Sequence, residues 1–424
     1  MKHILVPIAL CFSLASFGQD VFHQWFGPAT LRVDYLLAGD HENTEVYFLD
    51  MKKEPFWGGS RTNLVDTFRY GEFMMEVTDR ETGNLIYSRG FCTLFNEWQT
   101  TAESKQMRRA FRQVALMPFP LKPVVFELHR RERSGEFQSV YRQEIDPSGM
   151  FIRKEPPMAC DTTRVWYSGD PSVRLDIAFF GDGYTEDEQE QFHDDVKKFT
   201  DNLFSTSPFD RLKHLINIWS VFVPSPESGT DIPGEGIYRE TALNTTDYTF
   251  GLSRYITTTD LGSLHDQAAA VPSDQLVILI NSERYGGGGI FNHYACATAG
   301  HPLSLIVMVH EFGHSFAGLG DEYYTSEVAY EDFYPLDVEP WEPNLTTLVD
   351  FESKWKDMLE PGTPVLIPAE SPYEGVVGVY EGGGYVAKGV YRPFPDCRMH
   401  TNEAPGFCPV CCRAIERMVR FYSE

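Results

Sequence analysis

One pentapeptide constrains this chain more than any other part of it: His310-Glu311-Phe312-Gly313-His314, preceded by an apolar run from Leu303 to Val309. The run predicts a buried helix. Spacing of i and i+4 puts both imidazoles on one helical face, about a turn apart, where both can bind one zinc ion. Glu311 sits beside the first of them and can reach a water on that zinc, whose pKa falls toward about 7. It can take the water's proton as general base and hand it to a leaving amine. With 12 histidines in 424 residues, such a pentapeptide is expected by chance about 0.02 times per chain. A surface helix that merely carries polar residues does not account for the apolar run.

A site of this kind needs a third protein ligand. The chain continues Ser315-Phe-Ala-Gly318-Leu-Gly320-Asp321-Glu322-Tyr323. Gly318 and Gly320 can end the helix and turn the chain back, because glycine tolerates positive φ. Asp321 then falls where an oxygen ligand closes on the metal; Glu322 and a more distant residue are its rivals. Met399, in Asp396-Cys397-Arg398-Met399-His400, precedes a helix expected over about 409–421. It suits an apolar floor beneath the metal, the alternative being an ordinary loop methionine. His400 is a weaker candidate for a metal or substrate role. Gly286, Gly287, Gly288 and Gly289 fit no phosphate-binding pattern. They read as the rim beside an edge strand that could pair with an extended substrate, against a plain flexible loop.

Residues 1–18 read as a secretory signal peptide, with Lys2 and His3 ahead of the apolar run Ile4 to Leu14 and small residues Ser16 and Gly18 before the cut. Acylation at Cys11 is disfavoured by Leu10, which stands where a small residue is wanted. The expected location is therefore periplasmic or secreted, with no membrane span. In an oxidising compartment, Cys397, Cys408, Cys411 and Cys412 are expected to form a disulfide rather than a structural zinc site, since Cys408-Pro-Val-Cys411 lacks a second such pair. The acidic stretch around Glu327–Glu342, with Asp332, Asp337, Glu339 and Glu342, lacks regular calcium-loop spacing, so Ca2+ is a minor possibility. The formal charge of −25 argues against nucleic acid and anionic membranes as partners. Nothing in the sequence specifies an oligomeric state.

The expected architecture is multi-domain. Residues 19–160 carry at least seven short strands, among them Leu31–Leu36, Thr44–Leu49, Phe111–Met117 and Val124–Arg130, and read as an N-terminal all-β sandwich of accessory or substrate-positioning type. Prolines and glycines between 150 and 172 mark a boundary. Residues 165–424 then alternate strands (173–180, 215–223, 275–281) with helices, including one near 259–270. That order predicts an α/β (α+β) domain with parallel strands, and the His310–His314 pattern within it suits a zincin-like catalytic domain.

Three segments together resemble the IgA peptidase family of bacterial zinc metallopeptidases (metallopeptidase family 64): Phe180-Gly-Asp-Gly-Tyr-Thr185, His310 through Tyr323, and Cys397-Arg-Met399 followed by Phe407-Cys-Pro-Val-Cys411. The resemblance covers about 170–424, and the N-terminal region is similar to the domain that precedes the catalytic one in many members. It implies a metzincin-like domain with zinc on His310, His314 and Asp321, and Glu311 as base. Gly320 departs from ordinary metzincins and agrees with this family. The implied activity is zinc-dependent endopeptidase action on protein or peptide substrates, without any implied preference for immunoglobulin. Two other readings use the same residues: a non-catalytic exported binding protein with a structural zinc, and a zinc hydrolase of a non-peptide amide.

Overall fold

The computed structural model describes residues 21–154, 156–324, 334–367 and 375–424; the expected signal peptide, Glu327 and Asp332 lie outside these. The N-terminal strands are β1 (Phe26–Gly39), β2 (Thr44–Glu54), β3 (Phe73–Asp79), β4 (Leu85–Phe91), β5 (Arg109–Pro120), β6 (Val124–Arg131), β7 (Phe137–Ile145) and β8 (Ile152–Arg153). They form two four-stranded sheets, ordered β5-β1-β2-β8 and β4-β3-β6-β7. All pairs are antiparallel except β2 with β8. Alternating residues of β1 (Leu31, Val33, Tyr35 and Leu37) enter the core, as a period of two requires.

The other face of β1 is buried as well, and it is polar. Arg32 bonds to Asp34 at 2.6 Å and reaches Asp266 of a second layer at 2.7 Å. A buried guanidinium is tolerated because each side of its fork has a carboxylate partner. This face therefore packs on the C-terminal half of the chain, against the helix Leu261–Ala268. Further along, Arg89 donates to the Asp274 carbonyl at 3.0 Å, and the Cys92 N–H donates to the Phe291 carbonyl at 2.9 Å.

The second half is built on a six-stranded sheet. Its strands are β9 (Asp161–Trp166), β10 (Leu175–Asp182), β11 (Ile216–Phe222), β12 (Gln275–Ile280), β13 (Gly287–Ile290) and β14 (Tyr294–Thr298), in the order β13-β14-β12-β10-β11-β9. The inner four run parallel and both edges are antiparallel. β10, β11 and β12 are buried at every position, which is why they read as continuous apolar runs and not as alternating ones. Layered against the sheet are Gln189–Ser205, the helix Ser304–Ala317 that carries His310 and His314, and the C-terminal helix Pro409–Ser423. A two-stranded hairpin, β15 (Tyr380–Gly383) and β16 (Val386–Arg392), lies between the last two of these helices in the sequence. Among the described residues, no helix is long and apolar enough to cross a membrane.

A pair of carboxyls lies deep in the sheet. Asp176 accepts from Trp219 Nε1 at 2.6 Å and from Asn217 Nδ2 at 3.0 Å, and its N–H donates to Asp274 Oδ2 at 2.9 Å. Burial pushes Asp176 up to about 7, and burial with the Asp176 charge raises Asp274 too. The folded state thus holds a proton that the unfolded chain releases near pH 3.8, so this pair's contribution to stability is fully present below that pH and is lost as pH rises through about 7. Through this pair the unfolding midpoint is expected to fall between about pH 4 and pH 7 and to level off above that range. Asp176→Asn should flatten that slope in thermal unfolding followed by circular dichroism.

Candidate metal centre

The active-site helix forms where the apolar run predicts it. Val307, Met308, Val309, Phe312 and Phe316 are buried, each contributing roughly 1.5–3 kcal/mol by transfer from water. Gly318 ends it in a left-handed conformation, φ 62°, with its N–H returning to the carbonyls of Gly313 and His314. Gly320 serves differently: a Cβ there would meet Leu345 Cδ1 at 2.5 Å. The helix stop is thus made by Gly318, while Gly320 lies close against the Leu345 side chain.

The reversal brings Asp321 back over the helix. Its Oδ1 stands 3.2 Å from His310 Nε2 and 3.2 Å from His314 Nε2, and the two Nε2 atoms are 3.0 Å apart. His310 Nδ1 faces the Arg398 carbonyl at 2.9 Å, and His314 Nδ1 faces the Leu319 carbonyl at 2.5 Å. A carbonyl can only accept, so each Nδ1 carries its hydrogen, and each neutral ring points a bare Nε2 lone pair inward. Asp321 Oδ1 is buried and receives no hydrogen bond. Three acceptors therefore converge without a donor, an arrangement relieved by protons or by a cation. Without a cation the proton affinity shows it. Burial alone would lower His314, but the Asp321 carboxylate raises it to about 9; His310 is raised the same way, and Asp321 is held far below the usual carboxylate range by both imidazoles despite its burial. Two nitrogens and one oxygen fit a divalent cation of zinc type.

Glu311 is half-buried on the wall of a cavity of about 390 Å³ that also contains His310, His314, Asp321 and Arg254. Burial raises its carboxyl; the two imidazoles and Arg254 pull it down, while Asp321 works with burial. Met399 is fully buried, and a Cβ at Gly313 would strike its sulfur at 2.9 Å. The methionine thus lies directly under the active-site helix.

The four glycines do two jobs. Gly287 and Gly289 face the helix, where a Cβ would meet Glu311 Cγ at 2.9 Å and the Glu311 carbonyl at 2.2 Å. Gly286 and Gly288 are filled from the other side by Ile256 and its neighbours. Part of the outer edge of β13 is already paired: Gly287 N–H donates to the Arg254 carbonyl at 3.1 Å and its carbonyl accepts from Ile256 N–H at 3.0 Å. Ladder alternation turns Gly289 to the same side two residues on, and Gly289 lines the cavity. The rim expected over all four glycines is therefore reduced to Gly289.

Asn344, Tyr385, Glu72 and Glu97 carried no recognisable signal in the sequence, and Asp182 stood out only as part of the 180–185 motif. Asn344 clamps the reversal, accepting from Gly320 N–H at 2.8 Å and donating to the Gly320 carbonyl at 2.8 Å. The Tyr385 hydroxyl donates to Asp321 Oδ2 at 2.6 Å, and the Gly384 N–H donates to the Asp321 carbonyl at 2.8 Å, so the β15–β16 turn orients the carboxylate. Asp182 accepts from Leu243 N–H at 2.7 Å and from Thr245 N–H and Thr241 Oγ1 at 3.0 Å each. It thereby shapes the loop that leads to Arg254–Ile256. The N-terminal half supplies Glu72, Cys92, Asn96 and Glu97 to the cavity wall.

Glu322, the rival to Asp321, points away from the imidazoles; its Oε1 accepts from Asn344 at 2.9 Å and lies 3.3 Å from Cys411 Sγ. His400 lines the cavity without joining the three donors. The expected disulfide is absent: all seven described cysteines are free, with Cys397 Sγ and Cys411 Sγ 3.8 Å apart. Cys412 turns outward toward the Ser207 and Phe407 carbonyls. Of the acidic stretch, Glu339 accepts from Asp350 N–H and Glu342 from Tyr334.

A mixed sheet over an HExxH helix, with a third donor returned by a glycine turn, is the architecture of a metallopeptidase catalytic domain. The family model IgA Peptidase M64 matches residues 164–373 and 367–419, and Peptidase M64 N-terminus matches 21–142. The chain belongs to the peptidase M64 family. No curated protein matches it significantly.

Outer partners of metal ligands typically change metal affinity or activity by about 10–100-fold when removed. Tyr385→Phe is expected to weaken zinc binding within that range, measured by competition with a chromophoric chelator.

Proposed function

We propose that this protein is an exported zinc endopeptidase in which His310, His314 and Asp321 hold the metal and Glu311 is the general base. The carrying observation is the convergence of three donor-less acceptors beside a half-buried glutamate in one cavity. Zinc, when bound, supplies Lewis-acid polarisation of a carbonyl and acidifies water. The chain's own groups do the rest. The Nδ1 bonds to Arg398 and Leu319 lock both rings with Nε2 inward. Glu311 accepts a proton from the attacking water as its oxygen bonds to the carbonyl carbon. It returns that proton to the amine as the C–N bond breaks. Gly289 offers its N–H and carbonyl to an extended peptide backbone, which favours internal cleavage of a chain threaded through the cavity. Export is supported by the signal-like pattern over 1–18.

The test uses a broad peptide library with mass-spectrometric readout. Hydrolysis at internal bonds should stop with chelator and return with Zn2+. Glu311→Ala should retain zinc yet lose about 10²–10⁴-fold in kcat/KM. Equal hydrolysis by the wild type and Glu311→Ala would overturn the assignment.

A further inference from the structure

A second donor cluster lies behind the first. Glu322, Cys397, Cys408 and Cys411 are all buried, and each places one donor atom within 4.8 Å of the others. Cys397 Sγ and Cys411 Sγ, 3.8 Å apart, are far beyond the roughly 2.05 Å of a disulfide. They match the edge of a tetrahedron with zinc–sulfur bonds of about 2.3 Å, which is about 3.8 Å. Glu322 is fully buried; Asn344 holds its Oε1, and its Oε2 has no hydrogen-bond partner. A buried carboxylate oxygen left unpaired, on a carboxylate whose other oxygen lies 3.3 Å from Cys411 Sγ, is costly unless something positive meets it.

We propose that Glu322, Cys397, Cys408 and Cys411 form a second, structural zinc site. Three sulfurs and one oxygen suit zinc in tetrahedral coordination. Binding releases the three thiol protons to solvent, leaving three thiolates and one carboxylate against two positive charges. The excess negative charge is met locally. The Cys408 N–H donates to Cys397 Sγ at 3.2 Å, and Arg392 acts on Glu322. Cys408 caps the C-terminal helix and Cys411 lies in its first turn, where the helix dipole favours thiolates.

This site would tie together the pieces that position the first one. Glu322 follows Asp321 directly, and its N–H donates to the Met399 carbonyl at 2.8 Å. Cys397 precedes Arg398, whose carbonyl orients His310. Cys408 and Cys411 fasten both to the C-terminal helix. The inference stands on residues that take no part in the proposed chemistry.

The test is elemental analysis of the full chain, purified with zinc, together with zinc X-ray absorption. The wild type should carry two zinc ions per chain and a sulfur shell at about 2.3 Å. His310→Ala/His314→Ala should keep one zinc, bound mainly by sulfur. Cys408→Ser/Cys411→Ser should lose the sulfur shell; if it does not fold, the histidine variant carries the test. One zinc in the wild type with an intact sulfur shell supports this site and counts against the catalytic metal instead. A histidine variant without sulfur-bound zinc, or a peptide map under non-reducing conditions joining Cys397 to Cys408 or Cys411, overturns the proposal.

Discussion

Three lone pairs aimed at one point, with no hydrogen between them, are the constraint on which the rest of the structure depends. Left alone, His310, His314 and Asp321 would turn apart or take up protons. They are kept facing each other by carbonyls behind both rings, by the Tyr385 hydroxyl behind the carboxylate, and by Asn344 across the reversal. Those four supports come from separate parts of the chain: the turn before the C-terminal helix, the helix stop itself, the β15–β16 hairpin and the loop at 344. That convergence is thus maintained by parts that share no local sequence.

The close approach of edge strand to helix is the second organising fact. Gly287 and Gly289 have no room for a side chain against Glu311. Their backbone lies against the glutamate's turn, and Glu311 stays on the cavity wall beside Gly289. The Arg254–Ile256 segment covers the rest of that edge, held by a loop organised around Asp182. A family motif at 180–185 therefore influences the cavity from a distance, through a buried carboxylate that satisfies loop amides.

The N-terminal half is more than an appendage in this arrangement. Arg32 bridges its inner sheet to Asp266, Arg89 bonds to the Asp274 carbonyl, and Trp341 of the catalytic half donates to Glu72 at 2.8 Å. Glu72, Asn96 and Glu97 then help to wall the cavity. A substrate in that cavity meets both halves of the chain.

By itself the sequence determined the elements whose signal is local. The apolar run before His310, the i, i+4 spacing, the stop at Gly318 and the continuous apolar strands β10, β11 and β12 all follow from periodicity and backbone sterics. So does the strand-rich character of the first half. Tertiary structure decided what depends on chain segments meeting. It separated Asp321 from Glu322, sending one to the imidazoles and the other to the cysteines. It brought Asn344, Tyr385 and the Arg398 carbonyl to the site from 24 to 88 positions away, distances over which no pattern in one sequence reports contact. It also left Cys397 and Cys411 apart as thiols, where cysteine count and compartment alone had favoured a bond, since pairing depends on geometry that spacing does not carry.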